Sequence, residues 1–129
     1  MAFVEHGAVL VGERRGAVWL LRRRRLVRGE PHQVEADWRW ALEREELRGD
    51  VAGFFHTHPP GAGPRPSRRD MLTMQAWCGA FGKPLLCVIA CAGRALATRF
   101  SDDDDSGAPV GLAELFPRGA LVLVEGGMR

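Results

Sequence analysis

Residues 51–91, VAGFFHTHPPGAGPRPSRRDMLTMQAWCGAFGKPLLCVIAC, change periodicity twice and so outline three elements in a row. Val51 to His58 is an apolar run closed by Pro59 and reads as a strand. Residues 59–66 (PPGAGPRP) hold four prolines and two glycines, which predicts a stiff loop rather than an element. Ser67 is a good helix N-cap with Asp70 three residues on. Met71, Met74, Cys78 and Phe81 then form an apolar stripe, and Gly82 stops it, so the spacing predicts a helix from Ser67 to about Phe81. Pro84 to Cys91 is nearly all apolar and reads as a central strand.

Upstream, Phe3 to Gly12 and Gly16 to Leu21 read as two strands, with Glu13-Arg14-Arg15 as their hairpin connection. The four-Arg block Arg22 to Arg25 leads into a candidate third strand at Leu26-Val27-Arg28. Gln33 to Leu47 reads as a helix with Val34, Trp38 and Leu42 on its inner face, which makes Trp38 core and Trp40 partly exposed. Downstream, Ala95 to Phe100 and Ala120 to Glu125 read as strands. An acidic loop at 101–106 and a helical turn at Leu112 to Phe116 lie between them. The expected fold is α+β, α/β sandwich-like, with one mixed, partly antiparallel sheet flanked by two main helices.

The chain has 129 residues, 46% hydrophobic and 26% charged, which fits one soluble globular domain spanning residues 1–129. A net charge of +2 is small for a protein that works by neutralising phosphates, so nucleic-acid binding is demoted. No apolar run approaches a membrane span, and the N-terminus lacks a signal-peptide apolar region. Three cysteines, Cys78, Cys87 and Cys91, are an odd count without CxxC spacing, which suits free thiols in a reducing cytoplasm.

Chemistry concentrates around His56-Thr57-His58-Pro59. His56 and His58, two apart on a strand, project from one face. Asp70 returns from the first turn of the next helix. Two imidazoles and one carboxylate suit Zn²⁺ and leave a fourth position for water, the layout of a catalytic rather than a closed structural site. The same donor set is also compatible with non-heme Fe(II). Hydrolysis needs a base, for which Glu5 is the candidate. Ser67, at the helix N-terminus, could donate a hydrogen bond to an oxyanion.

Taken together, Glu5 with Leu10 and Gly12 (EHGAVLVG), then HTHP, then Ser67-x-x-Asp70, resemble the JAMM signature of the JAB/MPN-domain metalloproteases, over Glu5 to Asp70. The resemblance implies an MPN/cytidine-deaminase-like fold and a zinc hydrolase that cuts peptide or isopeptide bonds after the C-terminus of ubiquitin-like or sulfur-carrier-like proteins. It implies His56, His58 and Asp70 as metal ligands, Glu5 as general acid/base and Ser67 as oxyanion stabiliser. The small size is similar to that of stand-alone bacterial and archaeal members. Three departures stand out. The His58–Ser67 spacer is one residue longer than the family's usual one, and Ala8 replaces a common glycine. No helix precedes the Glu5 strand, which would leave an apolar patch for a second subunit in a homodimer, or another partner, to cover. Two rival readings are a non-catalytic MPN-like scaffold for a ubiquitin-like protein and a RadC-like nucleic-acid-associated protein. Arg22 to Arg25 reads as a solvated edge or loop, and Asp102 to Asp105 as a solvated loop of like charges.

Overall fold

The computed structural model describes residues 3–29 and 36–126. Its elements are β1 (His6–Arg15), β2 (Val18–Arg28), α1 (Trp38–Arg48), β3 (Val51–Thr57), α2 (Arg68–Phe81) and β4 (Leu85–Cys91). These are followed by β5 (Arg94–Ser101), β6 (Asp104–Leu115), a 3-10 turn (Pro117–Gly119) and β7 (Ala120–Val124). The strands close into a barrel in the order β1-β2-β7-β6-β5-β4-β3. Neighbouring strands are antiparallel except β3 and β4, whose parallel pairing follows from the α2 crossover between them.

The closed barrel corrects the sandwich-like expectation of a sheet flanked by helices. Closure comes from long strands that serve two neighbours. β1 pairs with β2 along its length and with β3 over Gly7 to Val11. β6, twelve residues long, pairs with β5 through Leu112 and then hands Ala113 to Leu115 to β7. Polar stretches of these long strands read as loops or edges in the sequence. Arg22 to Arg25 is the middle of β2, and Asp104 already begins β6 after a turn at Asp102-Asp103. Leu112 to Leu115 is strand where a helical turn at Leu112 to Phe116 is expected; a 3-10 turn follows separately at Pro117–Gly119.

Two apolar clusters result. One contains strand residues only, among them Ala8, Leu10, Leu21, Phe55, Val88, Ala97 and Leu123, and fills the barrel. The other joins the alternate residues Val9, Val11, Phe54, Cys87 and Ile89 to Ala41 of α1 and to Met74 and Cys78 of α2. Both helices therefore pack on the outside of the barrel wall. Asp37 caps α1 by accepting from the Trp40 amide, which starts the helix later than its apolar pattern suggested. The inner face is consequently Ala41 with Trp40, while Trp38 is 44% exposed, the reverse of the expected pair. Val34 lies outside the described residues. No helix among the described residues is long and apolar enough to cross a membrane.

Candidate metal centre

A bulge in β3 decides which way the histidines face. Leu10 pairs with Gly53 but Val11 pairs with Val51, so Ala52 is an extra residue. Val51 and Phe54 consequently share the helix-covered side, while Ala52 and Phe55 face the barrel interior. The shift sends His56 and His58 to the helix side with Phe54. Gly53 permits it by approaching β4 closely: a Cβ there would lie 1.9 Å from the Leu86 carbonyl oxygen.

Glu5 precedes β1 rather than lying within it, and its carbonyl accepts from the Gly29 amide. Gly7 pairs with His56, so the same antiparallel register carried two residues further sets Glu5 opposite His58. Glu5 is buried at 6% exposure. The ligand atoms of Glu5, His56 and His58 all lie within 4.8 Å of one another, close enough to hold a metal ion. Asp70, from the first turn of α2, aims Oδ1 at His56 Nε2 (3.4 Å) and Oδ2 at His58 Nε2 (3.1 Å).

Ser67 and Asp70 form a reciprocal capping box. The Ser67 amide donates to Asp70 Oδ2 at 2.8 Å, and the Asp70 amide donates to Ser67 Oγ at 3.1 Å. Asp70 thus caps the helix and faces both imidazoles at once, and Ser67 orients it. The loop contributes as well. Gly63 O accepts from His58 Nδ1 at 2.9 Å, so that nitrogen carries the proton and Nε2 is left to point into the site. The loop is tethered by the Cys91 thiol, which donates to Pro59 O at 3.3 Å, and by the His58 amide, which donates to Ala90 O. Sequence reading did not assign roles to Gly63, Cys91 or Cys87. Cys87 Sγ lies 4.0 Å from His56 Nε2, brought there by the parallel β3–β4 register, and burial pushes its thiol up.

The electrostatics follow from these contacts. Burial holds His56 below its ordinary value, with the Asp70 charge opposing it. The hydrogen bond to Asp70 lifts His58 against its own burial. Burial pushes the Asp70 carboxyl up, but His58, the charge of His56 and the Ser67 donors outweigh it and lower it to about 2. A neutral His58 would set a bare Nε2 against a carboxylate oxygen, two lone pairs in contact. A proton or a metal cation relieves this, and the neighbouring Glu5 and His56 add two further donors. The donor set is the N/O mixture that zinc takes, so the residues fit the ion.

The sequence profile of the prokaryotic homologs of the JAB domain matches residues 3–120, from just before Glu5 to the start of β7. The chain belongs to this JAB family. That match covers both halves of the centre, Glu5 on one side and His56, His58, Ser67 and Asp70 on the other, so the resemblance carried by EHGAVLVG, HTHP and Ser67-x-x-Asp70 holds at the level of the family. No curated protein matches the chain.

Proposed function

We propose that this JAB-family chain is a zinc-dependent hydrolase cutting the peptide or isopeptide bond after the C-terminal glycine of a ubiquitin-like or sulfur-carrier-like protein. The observation that supports the reading most is the convergence of Glu5, His56 and His58 within 4.8 Å, beside an Asp70 carboxylate that faces both imidazoles. His56, His58 and Asp70 would hold the ion. When bound, zinc supplies Lewis acidity, which polarises a carbonyl and makes water nucleophilic near neutral pH. Glu5, buried and opposite His58, accepts the proton of the attacking water and returns it to the departing amine. Gly63 O keeps His58 in the tautomer whose Nε2 faces the site. The Ser67 hydroxyl, which lies against Asp70 in the capping box, turns to the oxyanion as the acyl carbon becomes tetrahedral.

A second assignment has an observation of its own. Glu5 offers a ligand atom within 4.8 Å of those of both histidines, which supports Glu5 as a ligand with Asp70, against both imidazoles at 3.1 and 3.4 Å, orienting them.

The test is hydrolysis of a ubiquitin-like protein carrying a fluorogenic amide on its C-terminal glycine. Cleavage should stop when a chelator strips the metal and resume when zinc is returned. Binding of the ubiquitin-like protein without any cleavage by the zinc-loaded chain would favour the scaffold reading.

A further inference from the structure

A cavity of about 80 Å³ opens directly beside the centre, and the acid/base assignment gives it no task. Its apolar wall is Phe54, Met74, Trp77 and Cys87, and His56 and Asp70 line it on the side of the centre. Phe54 and Trp77 brace one another with ring centroids 3.8 Å apart. Met74 and Cys87 are almost wholly buried, so the wall is part of the packed interface between α2 and β3–β4. A cavity of about 150 Å³ lined by apolar residues takes up benzene. One of about half that size matches an aliphatic side chain of roughly three or four carbons.

We infer that the cut bond is a linear peptide bond and that this cavity receives a small aliphatic side chain, of valine or leucine size, from the substrate residue on its amine side. The inference rests on the hydrolase reading. With glycine on the acyl side, only the residue that leaves with the amine has a side chain adjoining His56 and Asp70. Hydrolysis then adds hydroxyl to the acyl carbon and a proton to that residue's nitrogen. A glycine in its place leaves the walls of the cavity without contact atoms. The first residue of the departing segment is therefore aliphatic, and the specificity is set by Trp77, Phe54 and Met74.

Two measurements test this and separate it from the hydrolase reading. In the first, acetyl-leucine methylamide and acetyl-glycine methylamide are titrated while the Trp77 indole resonance is followed by NMR. The leucine probe should half-saturate at a concentration at least about tenfold lower than the glycine probe. Thr73 also lines the cavity but is exposed on α2, so Thr73→Trp can plug the mouth without disturbing the core. It should erase that preference, with Thr73→Leu intermediate. In the second, Gly-Gly-Leu and Gly-Gly-Gly peptides are compared as substrates of the zinc-loaded protein. A leucine preference of at least about tenfold in kcat/KM supports the inference, and its loss in Thr73→Trp supports it further. Equal response to the two probes, or cleavage without preference, overturns it. Leucine binding at Trp77 with neither peptide cut would uphold the cavity assignment while counting against the hydrolase.

Discussion

Strand β3 serves two environments that differ in nearly everything except the backbone they share. Its inward residues, Ala52 and Phe55, join a cluster made of strand residues alone, closed and apolar. Its outward residues Phe54 and His56, with His58 just past its end, meet α2, a tethered loop and Glu5, where partly buried polar atoms converge on one another. The inner face is satisfied by packing. The outer face is satisfied only if something positive lies among its lone pairs. One inserted residue at the bulge decides which side chains go to which face, so stability and chemistry can be altered separately by alternate positions of a single strand.

Gly53→Ala should have the largest effect, because it acts on both faces. Its new Cβ would sit 1.9 Å from the Leu86 carbonyl oxygen, so β3 and β4 must part or the bulge must move. We expect a loss of about 3 kcal/mol in urea unfolding together with reduced zinc content. Native-like values of both would show that the bulge does not control the centre.

Leu10→Ala sharpens the contrast from the other side. Leu10 is fully buried in the barrel interior, so its truncation should cost about 3 kcal/mol while leaving zinc per folded chain unchanged. Loss of metal without loss of stability would mean that the two faces are not separable.

A smaller effect is expected from pH in chelator-treated protein. Asp70 is lowered to about 2 from 3.8, so its contribution is present above pH 3.8 and is lost as pH falls through about 2. The shift corresponds to roughly 2 kcal/mol, counted once for the Asp70–His58 contact. His58 is raised, so the same contact is complete below 6.5 and is lost as pH rises through the raised value. His56, lowered by burial, works against His58 in that window, which makes the acid limb the cleaner one. The urea midpoint of wild type should fall more steeply than that of Asp70→Asn between pH 4 and pH 2. Parallel curves would remove the coupling of Asp70 to the histidines.

The same contrast explains what could be read in advance. The β3–loop–α2–β4 unit is legible because prolines and glycines punctuate it, and the HTHP and Ser67-x-x-Asp70 spacings carry the family resemblance. Barrel closure is not legible, because it depends on bulges and on polar strand stretches such as Arg22 to Arg25 in the middle of β2 and the start of β6, which look like solvated edges or loops in isolation. The start of α1 departs from the apolar stripe through Val34 and Trp38 because a single capping side chain, Asp37, sets the first turn at Trp38. Gly63 and Cys87 reach the histidines through a loop path and a parallel register, and neither leaves a local sequence signal.

The most direct test of the centre is zinc per chain, by elemental analysis, on folded wild type, His58→Ala, Asp70→Ala and Glu5→Gln. The proposed ligand set predicts about one zinc in wild type and in Glu5→Gln, and little in His58→Ala or Asp70→Ala. Full zinc in Asp70→Ala with loss in Glu5→Gln would contradict it and make Glu5 the third ligand.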